Sequence, residues 1–412
     1  MKTTIKISIL FSLLSFILSC KKNDGTIVSP AVVDSSKIND VLYIVSDIGK
    51  LAALDANTGD TKWTFVLDSN ANINTTSISS SPTYSDTTVY IGSSDYKVYA
   101  IDAKTGTKKW SYLTDPITVP PYGVYYSSPI VSNGVLYIGG AKLYAINTNN
   151  GTLKWASALS REIASSPTIV NDTVYVSDVF NLYCLNALTG NTIAVSNGAL
   201  YTFAYTSPCY YNNTLYDVCN YDDPSLNYSG TFIFGLKALQ SIGFAAASNN
   251  RLSNAIIQPS YTSPTVKNKT LFVCFDSTLF AFDVANANTF PNLKWKFPAI
   301  GSFTVSSPTA DSSKVYVGDN KGIFYAVNVF TGNLEWSIDT RKDGAQYINN
   351  SPTLANGILY FSTDQGIYAV NASTGIKKWF KPTFGKYDFA PSGCIVSKSG
   401  QVFHSSISGI EN

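Results

Sequence analysis

Residues 98–110 read Val-Tyr-Ala-Ile-Asp-Ala-Lys-Thr-Gly-Thr-Lys-Lys-Trp: a β-branched and aromatic strand, a Thr-Gly turn and the start of a strand with tryptophan. The Gly-x-x-x-Trp spacing recurs along the chain, at Gly59–Trp63, Gly106–Trp110, Gly151–Trp155, Gly332–Trp336 and Gly375–Trp379. The remaining tryptophan, Trp295, ends a similar segment with a longer turn. Because all 6 tryptophans share one place in a repeated unit, we expect each to pack between neighbouring units.

The repeated unit has the length of a propeller blade. The aromatic residue of its strand recurs every 38 to 56 residues, at Tyr43, Tyr90, Tyr137, Tyr175, Tyr216, Phe272, Tyr316, Tyr360 and Phe403. A four-stranded blade takes about 40–50 residues, and one blade buries both its faces only when a ring of blades closes. The sequence therefore predicts an all-β fold, an eight-bladed β-propeller of four-stranded blades.

Two repeats and the two chain ends depart from this pattern. The fourth and fifth repeats lack tryptophan, and Ala194 and Phe244 stand near its expected position. A half-repeat at residues 390–406 follows the last complete unit, and we expect it to complete the first blade. Ser29-Pro30 could begin that blade instead, so the sequence leaves open which terminus supplies the closing strand.

Composition excludes one class of partner. Charged residues make up 14% of the chain, and the formal net charge is +2. A nucleic-acid-binding protein concentrates Lys and Arg in a basic patch or stripe, and this chain has no such field. We therefore expect no nucleic-acid partner.

The N-terminus has the features of a bacterial export signal. Lys2 and Lys6 precede an apolar stretch, residues 7–18, which is too short to span a membrane as a helix. The stretch ends in Ile-Leu-Ser-Cys, which resembles the bacterial lipobox, and the resemblance implies that Cys20 is lipidated. A plain secretory peptide is the alternative. The expected organisation is a signal peptide at 1–19, a lipidated tether at 20–37 and the propeller at 38–412, with the lipid anchor in the outer membrane of the cell envelope.

The other five cysteines stand where other repeats have small residues. Cys184, for example, replaces the alanine of Leu-Tyr-Ala-Ile-Asn, and Cys209 replaces the threonine of Ser-Pro-Thr. We interpret these cysteines as small buried hydrophobes. A disulfide between neighbouring blades, such as Cys219 with Cys274, is the alternative.

Two repeats share the spacing Ala-x-Asp-x-x-x-Gly-x-x-x-Trp, and the matching residues are Ala53, Asp55, Gly59, Trp63 and Ala100, Asp102, Gly106, Trp110. This motif resembles the pyrroloquinoline-quinone-type repeat, and the resemblance covers about residues 28–407. It implies a propeller fold. The family includes quinone-dependent dehydrogenases and also non-enzymatic BamB-type lipoproteins of outer-membrane β-barrel assembly.

The resemblance implies specific requirements for quinone chemistry: adjacent cysteines that form a disulfide, a calcium site, a nearby arginine and an aspartate base. The chain has no adjacent cysteines, and His404 is its only histidine. A zinc site with several histidine ligands is therefore excluded, and a Ser-His-Asp triad could use only His404. Aspartates recur between the second and third strands, and we interpret them as turn residues. We therefore expect no cofactor, no metal and no enzymatic activity.

The long connections between repeats all emerge on one face of a propeller, and long loops on one face favour binding. Three of these loops place a tyrosine three residues before a Ser-Pro proline, and these are Tyr126, Tyr205 and Tyr261. They could form an aromatic rim that grips a peptide or stacks on a sugar, or they could simply pack at the start of a strand. The sequence thus favours a monomeric, non-catalytic envelope scaffold that binds a protein partner. A quinone-dependent dehydrogenase and a carbohydrate-binding envelope module are the alternatives.

Overall fold

A computed structural model describes residues 40–46, 49–67, 78, 80–116, 127–178, 180–197, 201–202, 206–223, 228–237, 262–285, 292–303, 306–348, 350–382, 393–396 and 402–404. Nearly every element in these ranges is a short β-strand. In the described part, no helix is long and apolar enough to cross a membrane.

The first half of the chain forms β1 (Val41–Ser46), β2 (Lys50–Asp55), β3 (Thr61–Val66), β4 (Thr83–Ser85), β5 (Thr88–Gly92), β6 (Lys97–Asp102), β7 (Lys108–Leu113), β8 (Ile130–Ser132), β9 (Val135–Gly139), β10 (Leu143–Asn147), β11 (Leu153–Ser157), β12 (Thr168–Val170), β13 (Thr173–Ser177), β14 (Asn181–Asn186) and β15 (Thr192–Asn197). The second and third strands of each unit carry Val, Ile, Leu and Tyr on both faces, as a strand buried between two neighbours requires.

The second half forms β16 (Tyr201–Thr202), β17 (Cys209–Tyr211), β18 (Thr214–Asp223), β19 (Tyr228–Lys237), β20 (Thr265–Lys267), β21 (Thr270–Phe275), β22 (Thr278–Asp283), β23 (Asn292–Pro298), β24 (Thr309–Ala310), β25 (Lys314–Gly318), β26 (Ile323–Asn328), β27 (Leu334–Asp339), β28 (Thr353–Ala355), β29 (Ile358–Ser362), β30 (Gly366–Asn371), β31 (Lys377–Pro382), β32 (Cys394–Val396) and β33 (Val402–His404). One short 3₁₀ helix, Thr340–Asp343, lies between β27 and β28.

The described strands form antiparallel sheets, numbered here in chain order. Sheet 1 has five strands in the order β3-β2-β1-β32-β33, and the other sheets have four strands each. Sheet 2 is β4–β7, sheet 3 is β8–β11, sheet 4 is β12–β15, sheet 5 is β16–β19, sheet 6 is β20–β23, sheet 7 is β24–β27 and sheet 8 is β28–β31. The prediction of an all-β propeller built from four-stranded blades is confirmed.

The predicted count of eight four-stranded blades is wrong, because only seven of the described sheets have four strands. The difference lies in sheet 1, where both halves of the chain meet. The half-repeat at the C-terminus supplies β32, which pairs with β1 between Val41 and Val396, and β33 is added beyond it. β32 also contacts β4 of sheet 2. The C-terminal half-repeat therefore closes the described ring.

Serines tie the innermost strands together around the axis. The backbone N–H of Ser81 donates to Ser128 Oγ in the next sheet at 2.8 Å. The same link recurs from sheet to sheet at 2.8 to 2.9 Å, from Ser128 to Ser166, Ser166 to Ser207, Ser207 to Ser263, Ser263 to Ser307 and Ser307 to Ser351. Each of these serines directly precedes a proline. It is a small side chain that fits the crowded axis, and it also forms a hydrogen bond to the next sheet.

Tryptophans tie the outer strands together. Trp63 Nε1 donates to the Ala103 carbonyl of the next sheet at 3.0 Å, and Trp379 Nε1 of sheet 8 donates to Ala56 O of sheet 1, also at 3.0 Å. The corresponding bonds join Trp110 to Thr148, Trp155 to Ala187, Trp295 to Val329 and Trp336 to Ala372. Each tryptophan therefore spans the boundary between two sheets, which we call a seam.

The glycine of the Thr-Gly turn makes room for the tryptophan of the preceding sheet. Gly106 has a φ of +73°, and a Cβ added there would lie 2.7 Å from Trp63. Gly151 would meet Trp110 and Gly59 would meet Trp379 in the same way. The motif therefore needs glycine for two reasons: a left-handed backbone and a close approach of the indole.

Candidate functional site

The two faces of the ring differ in their connections. The turn face carries the short turns between first and second strands, such as Asn133-Gly134, and the Thr-Gly turns. The loop face carries the turns between second and third strands and the connections from each sheet to the next. Backbone hydrogen bonds join the start of a sheet-to-sheet connection to a second-to-third turn: Thr114 N donates to Tyr96 O at 2.8 Å, and Thr340 N donates to Gly322 O at 3.0 Å. Sheet-to-sheet loops therefore start beside the second-to-third turns.

Buried aspartates organise the loop face. Asp319 Oδ1 accepts from the backbone N–H groups of Lys321 at 2.9 Å and Ile323 at 2.8 Å, which closes the turn between β25 and β26. Asp178 Oδ1 likewise accepts from Phe180 N at 2.8 Å and Asn181 N at 2.7 Å. This is the Asx-turn chemistry expected of these aspartates from the sequence.

The second carboxylate oxygen has a tyrosine partner that the sequence analysis missed. Tyr325 O–H donates to Asp319 Oδ2 at 2.8 Å, and the same phenol oxygen accepts from Ile300 N at 3.1 Å. Ile300 follows the outer strand of sheet 6, so this Tyr–carboxylate tie fixes the exit of one sheet to the next. Burial first, and then the neighbouring Asp319 carboxylate, raise the pKa of Tyr325. The phenol therefore stays protonated and acts as the donor.

The Tyr–carboxylate tie recurs on other seams with local changes. Tyr183 O–H donates to Asp178 Oδ2 at 2.7 Å and meets Ser160 of the preceding connection. In sheets 3 and 8 the carboxylate comes from the connection itself: Tyr144 donates to Asp115 at 3.0 Å and Tyr368 donates to Asp343 at 3.0 Å. A tyrosine four to six residues after the turn aspartate, as in Asp319 and Tyr325, was the available sequence signal.

Exposed contact groups lie where these connections leave the ring. Arg161 stacks over the Phe180 ring, with the guanidinium carbon 5.5 Å from the ring centroid. Phe180 is 37% exposed and Ile300 is 72% exposed. Aromatic rings, arginine and apolar side chains of this kind are enriched at protein–protein interfaces. We call Arg161, Phe180 and Ile300 the exposed loop-face residues.

Several predicted site residues cannot be placed. Cys20, Tyr126, Tyr205 and Tyr261 all lie outside the described residues. All six tryptophans lie within the described residues, and each donates a hydrogen bond from its indole N–H to the next sheet. Within the described ranges, no group of three or more His, Cys, Asp or Glu side chains could hold a metal ion.

Cys184 and Cys274 are free thiols. Cys209 is buried in the apolar cluster between sheets 5 and 6, and Cys274 is buried in the apolar cluster between sheets 6 and 7. Burial raises the pKa of the Cys184 thiol to about 11. Because Cys274 is free, the alternative of a Cys219–Cys274 disulfide is wrong; Cys274 instead fills an apolar position at the end of a second strand.

Solved structures share this fold. BamB from Moraxella catarrhalis aligns with a TM-score of 0.54 and 16% identity, over 84% of this chain and 94% of that chain. AztD from Citrobacter koseri aligns with a TM-score of 0.57 and 11% identity, over 87% of this chain and 98% of that chain. At these identities the likeness shows the fold alone.

A curated relative corrects one prediction. Tetrathionate hydrolase of Acidithiobacillus ferrooxidans is 26% identical over 246 residues, which are 57% of this chain and 48% of that protein. The prediction that the chain is not an enzyme is therefore overturned, because a relative that shares more than half of the chain is named as an enzyme. The absence of adjacent cysteines argues only against quinone chemistry, and the single histidine argues only against metal sites built from imidazoles. Hydrolysis requires neither of these features, so the prediction excluded too much.

Two further matches concern a single family. The outer membrane protein assembly factor BamB of Yersinia pestis is 32% identical over 72 residues, which are 17% of each chain. The chain thus spans half or less of the length of these two curated relatives. The family model described as outer membrane protein assembly factor BamB matches residues 28–193 and 244–409. Since these two ranges cover most of the chain and contain nearly all of the sheets above, with sheet 5 lying between them, the protein belongs to the BamB family of PQQ-like propellers.

Proposed function

We propose that this protein works in the bacterial cell envelope and binds a protein partner through its loop face. Family membership supports the envelope setting. The observation that carries the proposal is the construction of the loop face: Tyr–carboxylate ties hold the loop exits in place, and the exposed loop-face residues stand between them. A rigid support with aromatic and arginine contacts is what a recognition surface requires.

A site-specific cross-linker tests this proposal. A photoreactive residue at Phe180 is expected to trap a partner of defined mass in intact cells, because Phe180 stands on the loop face. The matched control is the same substitution at Phe330, which is 65% exposed in a Thr-Gly turn on the turn face. Equal trapping at both positions, or trapping at neither, would count against the loop face.

The same pair of phenylalanines gives a binding prediction. Phe180→Ala is expected to weaken partner binding about tenfold or more, as loss of an interface aromatic does. Phe330→Ala is expected to leave binding within about twofold. The measurement is titration of the trapped partner, once purified, against each variant. Thermal unfolding of both variants guards against a trivial loss of fold.

We propose further that a lipid on Cys20 attaches the protein to the membrane, with residues 20–37 as a tether to a monomeric propeller at 38–412 in the outer membrane. The support is the apolar segment that ends at Cys20. Cys20→Ala is expected to release the protein from membranes or to leave an unprocessed precursor. Fractionation and the mass of the mature chain measure this, and normal processing with unchanged membrane association would contradict lipidation.

Hydrolysis of a sulfur oxyanion is the second candidate function. The tetrathionate hydrolase relative, which shares more than half of this chain, favours it. The test is direct: purified protein with tetrathionate, with thiosulfate and sulfate measured over time against a heat-inactivated sample. Turnover would add an enzymatic role to the binding role, and the absence of turnover would leave partner binding as the proposed function.

A further inference from the structure

One carboxylate stands where the fold places apolar side chains. Asp217 is the fourth residue of β18, and the corresponding residues of the other second strands in sheets 2, 3, 4, 6, 7 and 8 are Ile91, Ile138, Val176, Val273, Val317 and Phe361. Ile91 packs in a cluster with sheet 1, and Ile138 packs in a cluster with sheet 2. This position therefore faces the preceding sheet, so Asp217 lies in the seam between sheets 4 and 5.

The Asp217 carboxyl is incompletely satisfied. Its side chain is fully buried, and its Oδ1 accepts from the adjacent Val218 N–H at 2.8 Å. Its Oδ2 has no hydrogen-bond partner. Burial raises the pKa of Asp217 to about 7, and the Thr206 hydroxyl and the Val218 amide oppose this only in part. An ionised carboxylate in this position would be a buried charge without a counter-ion, which is costly.

The described groups that face Asp217 from sheet 4 and from β17 do not supply a charge. From sheet 4, Tyr175 and Cys184 occupy the side that faces sheet 5, and burial raises their pKa values to about 12 and about 11. Tyr210 of β17 stacks on Tyr175 with 6.4 Å between ring centroids, and burial raises its pKa too. Asp178, at the turn of sheet 4, is bonded to Tyr183 and Ser160 toward sheet 3. Tyr175, Cys184 and Tyr210 are therefore all neutral at neutral pH.

Among the described residues, this seam lacks the tryptophan bond that joins neighbouring sheets elsewhere. Ala194 stands where other outer strands have the tryptophan that bonds to the next sheet, since Cys184 pairs with Ala194 as Ala100 pairs with Trp110. The described hydrogen bonds across this seam lie along its inner half: Ser166 N donates to Ser207 Oγ at 2.9 Å, Thr168 Oγ1 donates to Pro208 O at 2.5 Å and Ser177 Oγ donates to Thr206 O at 3.5 Å.

The seam is also open to solvent at Cys184. The equivalent alanines of the other sheets, such as Ala100, Ala145 and Ala326, are 0% exposed. Cys184, in contrast, is partly exposed. A seam whose described hydrogen bonds lie along its inner half, and which is partly open to solvent at Cys184, can separate with less loss of contact than a seam that a tryptophan closes.

We propose that the seam between sheets 4 and 5 is a proton-controlled joint, closed while the Asp217 carboxyl is protonated and opened when that carboxyl ionises. Ionisation converts a tolerated neutral group into an unpaired buried charge, and water reaches it only if the seam separates. The axial serine links act as the hinge. The joint would move β18 and β19 relative to sheet 4, beside the loop face.

Hydrogen exchange with mass spectrometry tests the joint in the full chain between about pH 5 and pH 8, with rates corrected for the intrinsic pH dependence of amide exchange. Exchange in β14 and β17 is expected to rise about tenfold for each pH unit up to about pH 7 and then to level off, because the open state binds one proton fewer. Strand β9, in a seam that Trp110 closes, is the internal control and should show no such rise.

Two variants decide the assignment. Asp217→Asn keeps the shape and cannot ionise, and Asp217→Val installs the residue that sheets 4, 6 and 7 carry; both should abolish the pH-dependent rise in β14 and β17. A rise that persists in Asp217→Asn, or that appears equally in β9, would overturn the joint. So would exchange in wild-type β14 and β17 that does not change with pH after correction.

Discussion

Trp110→Ala is expected to lower the free energy of unfolding by about 3 kcal/mol, at the lower end of the range for a large aromatic because the indole is only partly buried. The variant loses the indole packing on Gly151 and Tyr90, whose ring centroid lies 5.8 Å away. It also loses the bond from Nε1 to Thr148 O at 2.9 Å. Denaturation in urea measures the change, and a loss below about 1 kcal/mol would mean that the seam does not depend on this residue.

A smaller change at the same position separates packing from hydrogen bonding. Trp110→Phe keeps most of the ring but removes the donor, and its cost from the hydrogen bond is expected to be about 1 kcal/mol. Gly151→Ala should be destabilising in the wild type, because the added Cβ would lie 2.7 Å from the Trp110 ring at a φ of +72°. When Gly151→Ala is combined with Trp110→Ala, the clash with the indole disappears, and the cost of Gly151→Ala falls to that of the backbone strain alone. Additive effects in the double variant would contradict the contact.

The sequence predicts the ring of sheets well because the same side chain is buried at the same place in each repeat. Gly106 and Trp110 show why: the two residues contact the sheets on opposite sides, so each copy of the motif specifies two seams. The closing strand depends on residues at opposite ends of the chain, and no local pattern distinguishes β32 from an N-terminal strand. This is why the five-stranded sheet 1 was not predicted.

The candidate site is less accessible to prediction than the fold. Asp178 and Asp319 are recognisable as turn residues from local sequence, and their tyrosine partners follow within six residues. The loop amides that complete each tie, such as Ile300 N, become neighbours only across seams. The tyrosines proposed as a rim lie in long connections, where no repeat constrains the position of a side chain. The prediction that no enzyme activity exists failed for another reason: missing residues exclude particular chemistries and leave others open.

Asp217 also shows the limit of a local pattern. Aligned with the other second strands, it stands out as a carboxylate at an apolar position. Whether a partner compensates it depends on the facing side of sheet 4, where Tyr175 and Cys184 are both protonated at neutral pH. The absence of a bond to Oδ2 is therefore a property of the folded seam.

Asp217→Val is expected to stabilise the protein, and the gain should grow as pH rises. Asp217 has a folded pKa of about 7 against an ordinary value of 3.8, so between these values the folded state holds a proton that the unfolded state has lost. Stability contributed by this group is therefore fully present below about pH 4, falls as pH rises and is level above about pH 7. The wild type should lose about 4 kcal/mol over that window relative to a variant without the carboxyl.

Urea denaturation of the wild type and of Asp217→Val at about pH 5 and about pH 8 measures this difference, which should be larger at the higher pH by about 3 kcal/mol. Carboxyls with lowered pKa values, such as Asp311 and Asp343, stabilise the folded state when they are ionised. They lose this stabilisation only as the pH falls below their ordinary range, outside the pH window of the urea experiment. Every other titrating group is common to both proteins and cancels in the difference. A difference that is the same at both pH values would show that Asp217 is ionised and solvated in the folded protein, and the closed seam would then need another explanation.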